Sequence, residues 1–114
     1  MKLFNRQKVL LNTIENLNEN NIYSRRAIVK SLFLLRKEHS FSEKMPFYNF
    51  FAYKQGPFSH LCFDDLRKLR DNNFIDEEET TITKEGKAIL DTIGREHNSA
   101  IKAMLKPFSE EENI

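Results

Sequence analysis

The sequence predicts a mainly α-helical single domain with one small β-hairpin. Three observations lead there. Apolar residues recur at helical spacing in four separate stretches. Before the last of them lies FIDEEETTIT (74–83), where two short strand-prone runs flank an acidic tip. Only three Gly and three Pro occur, placed where they can act as punctuation. A chain of 114 residues is long enough to bury one core but not two.

The first helix is predicted from Asn5, as N-cap, to about Asn18, with Leu10, Ile14 and Leu17 on one face and Val9 and Leu11 beside it. Asn18, Asn20 and Asn21 favour local side-chain to backbone bonds, so the chain should turn there. Ser24 caps a second helix, SRRAIVKSLFLLRKEH. Ile28, Leu32 and Leu35 share one side, and Val29, Phe33 and Leu34 widen the stripe, which predicts the most buried helix of the set. The polar run from His39 to Met45 reads as loop, ended by Pro46. FYNFFAYK (Phe47 to about Lys54) is aromatic and strand-prone, a short strand or extended arm over the core. Gln55-Gly56-Pro57 turns the chain.

A third helix, about 59–73, starts at Ser59 as N-cap, with Phe58 and Phe63 placed as a hydrophobic staple. Cys62, Leu66 and Leu69 form its buried stripe, with Leu61 at the margin. His60, Asp64, Arg67 and Asp71 face outward, flanked by Lys68 and Arg70. Asn73 stands where a left-handed residue ends a helix. The hairpin follows at about 74–83, with strands Phe74–Glu77 and Thr80–Thr83. Thr83 then caps a last helix, about 84–106, in which Ile89, Ile93, Ala100 and Met104 form one stripe widened by Leu90, Ile101 and Leu105. Unbroken, it would run about 35 Å at about 1.5 Å per residue. Gly94 is the place where it would bend, and Pro107 the place where it would end. The acidic tail 107–114 has no reason to order.

A hydrophobic fraction of 39% and ten Phe support a packed globule. Eighteen basic against 17 acidic side chains leave a net charge of +1, too balanced for electrostatics alone to announce nucleic acid. A single cysteine, and no apolar run of membrane length, point to a reduced cytoplasmic setting without a membrane partner. Nothing suggests an enzyme, metal or cofactor. His39, His60 and His97 have no metal-site spacing, no Gly-rich phosphate loop is present, and Cys62 falls on the buried stripe.

Two local patterns carry a resemblance. LRKLRDNNFI (Leu66 to Ile75) looks like the Leu-x-x-Leu-x-x-x-Gly-x-Ile ending of many winged-helix recognition helices, with Asn73 in the Gly position. ITKEGKAIL (Ile82 to Leu90) is similar to the Thr-x-x-Gly exit from the wing. In this order and spacing the chain resembles a winged helix-turn-helix domain over roughly Asn5 to Leu90. It also resembles prokaryotic winged-helix modules with an aromatic stretch and a Gly-Pro-(Phe/Tyr)-Ser turn before the recognition helix, and more loosely the Panacea antitoxin domain. The long segment between the second and third helices departs from a minimal helix-turn-helix.

What the resemblance implies is a transcriptional regulator that binds double-stranded DNA. The third helix would enter the major groove through Ser59, His60, Arg67, Lys68 and Arg70, and Arg25, Arg26 and Lys54 would contact phosphate, with Lys84 and Lys87 after the wing also within reach. Dimerisation would use Ile93, His97, Ala100, Ile101, Met104 and Leu105 of the last helix, giving a homodimer. Two features favour another outcome. The charges on the third helix can pair among themselves, Asp64 with Arg67 or Lys68 and Arg67 with Asp71. The tip Asp76-Glu77-Glu78-Glu79 would repel a phosphate backbone. The alternative is the same fold as a protein-interaction module, an antitoxin, anti-defence or assembly component, with Phe47 to Tyr53 and the acidic wing as contact surface.

Overall fold

The computed structural model describes residues 2–38, 46–53 and 56–111. The predicted loop 39–45, Lys54 at the end of the predicted strand and Gln55 of the predicted turn lie outside them. Among the described residues, five helices and one two-stranded antiparallel sheet follow in the order α1 (Asn5–Glu19), α2 (Arg25–Glu38), β1 (Phe51–Tyr53), β2 (Gly56–Phe58), α3 (His60–Asp71), α4 (Lys84–Ile93) and α5 (Asn98–Glu111).

The most buried helix is α1, not α2: ten of its 15 residues are buried against six of 14, and α2, α4 and α5 pack on it. Every residue from Val9 to Leu17 is buried. Its polar residues go inside with partners supplied. Asn16 Nδ2 donates to Asn98 Oδ1 at 3.0 Å, and Arg95 grips both oxygens of Glu15 at 2.8 Å. The start of α1 lies one residue earlier than predicted. Phe4 is the N-cap, and its N–H donates to Gln7 Oε1 at 2.9 Å, so Asn5 is the first helical residue.

Both asparagine stops work by the same device. Asn21 and Asn73 take φ of 62° and 63°. After α1, the N–H of Ile22 reaches Leu17 O and that of Asn21 reaches Asn18 O. After α3, Phe74 N–H reaches Leu69 O and Asn73 N–H reaches Arg70 O. This is the paired bonding of a Schellman motif, with Asn where Gly is usual.

The sheet is not the predicted hairpin: β1 falls within the predicted strand 47–54, and β2 takes in Gly56 and Pro57 of the predicted turn. Its strands are β1 and β2, ahead of α3, with Phe51 opposite Phe58 and Tyr53 opposite Gly56. The 74–83 hairpin is reduced to a single bridge, Ile75 to Ile82. Asp76 N–H to Thr81 O and Thr83 N–H to Phe74 O flank that bridge, and Asn18 of α1 binds the outer edge of the hairpin. Asn18 Oδ1 accepts from Ile82 N–H at 2.8 Å, and its Nδ2 donates to Thr80 O at 3.0 Å.

The last helix is two helices. Gly94 has φ of 94°, a region L side chains rarely enter, and the chain breaks there before α5 begins at Asn98. Arg95 pins the break to α1 through Glu15, while its Nη1 donates to Asp91 at 2.7 Å. These carboxylate bonds push the Arg95 pKa above its usual value, against a smaller opposing effect of burial. Pro107 does not end the helix, since α5 continues to Glu111.

Gly86 shows why the Thr-x-x-Gly pattern starts α4. Thr83 Oγ1 accepts from Gly86 N–H at 3.0 Å as the N-cap and donates to the carbonyl of Asn73. That bond ties the start of α4 to the end of α3. A Cβ at Gly86 would collide with the Phe74 carbonyl oxygen and come within 2.8 Å of Ile82 Cγ1. No helix among the described residues is long and apolar enough to cross a membrane.

Candidate functional site

The surface of interest is built on α3. Ser59 starts it, its hydroxyl accepting from Cys62 N–H at 3.3 Å, and the rings of Phe58 and Phe63 lie 5.1 Å apart as the expected staple. Cys62, Leu66 and Leu69 are fully buried, so the helix is held by one face and offers the other.

The inward face holds one residue that amphipathic spacing did not reveal. Asp65 is fully buried and takes three hydrogen bonds, from Arg6 Nε (2.9 Å), Gln7 Nε2 (2.9 Å) and Tyr48 Oη (2.7 Å). The network ties α3 to α1 and to the segment before β1. Burial, then the nearby Cys62 and Asp65, push the Tyr48 phenol well above its usual pKa. Burial and then Asp65 likewise raise the Cys62 thiol. Only the aromatic composition of FYNFFAYK hinted that Tyr48 would be inside.

The outward face brings several of the expected DNA-contacting residues together, already engaged. Arg67 pairs with Asp64, one of the pairings the spacing allowed. Arg70 pairs with Asp71 at 3.3 Å and with Glu79 at 3.2 Å. Arg25, at the start of α2, reaches the other oxygen of Glu79 at 3.5 Å. The side chain of Glu79 is only 8% exposed, so the acidic tip does not point all its charges outward. Asp76 is also used locally, accepting from the N–H groups of Thr80 and Thr81 at 3.0 and 3.1 Å. Partial burial would raise the Asp76 pKa, but these bonds outweigh it and hold the carboxyl below its usual range. Glu77 and Glu78 are exposed.

Ser59 is buried and spent as a cap, so it cannot meet a nucleic acid without unwinding α3. Lys54 lies outside the described residues. Arg26 and Lys68 are exposed and ion-pair with none of the described residues. The outward face of α3 carries two acids (Asp64, Asp71) and three bases (Arg67, Lys68, Arg70), and the following hairpin adds four acids. The surface is therefore not a basic one.

Beside it runs a row of rings. Phe51 lies 5.5 Å from Phe58, Phe58 lies 4.7 Å from His60 and 5.1 Å from Phe63, and the Arg25 guanidinium sits 5.3 Å above Phe63. Phe51 is 51% exposed, and His60 and Leu61 beside it are exposed as well. Sequence reasoning named Phe47 to Tyr53 as one contact surface. The structure divides that stretch, burying Phe47 and Tyr48 in the core and leaving Phe51 outside.

The expected dimer stripe is largely used within the chain. Ile101, Met104 and Leu105 are buried where α5 packs on α1 and α2. Ile93 and Ala100 pack partly against the same core. His97 sits at the break, 3.8 Å from Glu96, rather than on a continuous stripe. A second copy would have to displace α5 to reach the three buried residues. The cleft at this break, lined in part by Lys8, Asn12, Gly94 and His97, holds about 30 Å³, room for a water or two. Among the described residues, no three His, Cys, Asp or Glu side chains are grouped to hold a metal.

Compared with models of known families, with curated proteins and with solved structures, the chain matches none.

Proposed function

We propose that the chain is a winged-helix module that binds a protein, using β1–β2 and the first turns of α3. The order α1, α2, hairpin, α3, short wing, α4 supports the fold assignment, with the 74–83 element as a wing of one bridge. One observation carries the choice of ligand. Arg25, Arg67 and Arg70 are each neutralised by a carboxylate of this chain, while the Phe51–His60 row beside them lies uncovered. Aromatic groups are enriched at protein interfaces, whereas phosphate binding needs cations free to replace counterions.

A second reading, duplex DNA in contact with α3, is favoured by Lys68 and Arg26. The test is duplex DNA binding at low and moderate salt, alongside a photo-crosslinker placed at Phe51. The protein reading expects no salt-sensitive DNA binding, and a discrete protein adduct from position 51 that is absent from position 87 on α4. Salt-sensitive binding weakened by both Arg67→Ala and Arg25→Ala/Arg26→Ala would reverse the order of the two readings.

A further inference from the structure

The tip of the 74–83 hairpin is built to deliver one carboxylate. Asp76 Oδ1 gathers the Thr80 and Thr81 N–H groups, and Asp76 O accepts from Glu79 N–H at 3.1 Å. This turn holds Glu79 at φ of 62°, uncommon for a residue other than Gly, Asn or Asp. From there its Oε1 meets Arg25 Nη1 and its Oε2 meets Arg70 Nη1, at 3.5 and 3.2 Å. Two guanidinium groups from two helices thus take one oxygen each of a single oxyanion, an arrangement suited to carboxylate or phosphate. Arg25 also closes the ring row through Phe63, so the pair of arginines and the exposed Phe51 belong to one continuous strip.

We infer that Arg25 and Arg70 form a carboxylate cradle which Glu79 fills in cis, and that a partner protein binds by exchanging an Asp or Glu of its own for Glu79 while an apolar side chain docks on Phe51 and His60. The inference rests on the protein reading above. The occupant's chemistry is read from Glu79 itself. Glu77 and Glu78, exposed on the same tip, repel a polyanion more than they repel one carboxylate. The wing tip is then a self-contact that the partner must displace, and free chain is held in the closed form.

The experiment uses Glu79→Gly, which removes the side chain and suits the positive φ. Sodium acetate is titrated against sodium chloride at matched ionic strength, and the Arg Nε–H resonances are followed by NMR. Saturable acetate shifts at Arg25 and Arg70 are expected in the variant but not in wild type. Adding Arg70→Ala should weaken the acetate affinity about threefold or more, the scale of one partly exposed ion pair. Absence of any acetate-specific shift in a folded variant overturns the cradle. If Glu79→Gly does not fold, Glu79→Gln gives the same reading with side-chain bulk retained. Salt-sensitive binding of a DNA duplex that appears in Glu79→Gly and requires both arginines would overturn the assignment to a protein carboxylate in favour of phosphate. Because acetate is the probe, the cradle stands or falls without the partner, and loss of the position-51 adduct would retire the partner reading alone.

Discussion

Replacing Asp65 with Ala should be among the most damaging single changes in the domain, for a reason that can be worked from its contacts. The carboxylate is fully buried and receives Arg6, Gln7 and Tyr48. Removing one partner of a buried ion pair costs about 3–5 kcal/mol, chiefly because the other groups stay behind without compensation. Arg6 is partly open to water, with 18% of its side chain exposed, so it can recover some hydration and the lower end applies. A loss of about 3 kcal/mol is a large share of a domain stability of about 5–15 kcal/mol. With a urea slope of about 1–3 kcal/mol/M, the midpoint should fall by about 1–3 M.

Asp65→Asn is the sharper probe. Its one remaining oxygen can serve Arg6 and Tyr48, which share Oδ2, but its amide would then face the Gln7 amide, donor against donor. Gln7 cannot simply flip, because its Oε1 already accepts from Phe4 N–H and caps α1. The isosteric change should therefore still cost about 1–3 kcal/mol. In a double-mutant cycle, Tyr48→Phe should cost less on the Asp65→Ala background than on wild type. Strict additivity, or an Asp65→Ala loss below about 1 kcal/mol, would refute the claim that this network joins α1, α3 and the pre-strand segment.

Two further outcomes follow from particular atoms. Gly86→Ala adds a methyl against the Phe74 carbonyl and Ile82, and overpacking of about 1–3 kcal/mol should exceed the gain in helix propensity of about 1 kcal/mol, so urea melts should show net destabilisation; a more stable variant would show that α4 can move away. Asp76 has a folded pKa below its usual value, so its contribution is fully present above the unfolded carboxylate range and is lost as pH falls through the folded pKa. The stability gap between wild type and Asp76→Ala, from melts at a series of pH values, should hold steady from neutral pH to pH 5 and shrink only in the acid range.

What was legible in the sequence is what local chemistry decides. Ser24, Ser59 and Thr83 cap their helices as read, since the groups they bond lie three residues away. Asn73 ends α3 because short polar side chains tolerate the left-handed region. The buried stripe Cys62, Leu66 and Leu69 needed only the helical period. Where the reading went astray, a distant contact decided. Amphipathic width suggested α2 as the inner helix, but α1 buries more of its residues, polar ones included, and pairs them with residues up to 82 positions away. The expected ladder at 74–83 is one bridge, and its outer edge is held by Asn18, over 60 positions earlier, a contact that no local pattern announces.

The same distinction governs the charges, and it is why composition could not settle the candidate site. A balanced count of acids and bases is compatible with a free basic face set against an acidic face elsewhere, or with cations quenched where they stand. Helical spacing anticipated the Asp64–Arg67 pair, which is three residues apart, and missed Glu79 between Arg25 and Arg70, because that contact exists only once the hairpin folds back. Pairing of this kind lowers the long-range field of each arginine without removing its hydrogen-bonding capacity. A surface so arranged is poor at attracting a polyanion from a distance. It can still exchange one carboxylate for another at contact, where geometry rather than net charge selects the ligand.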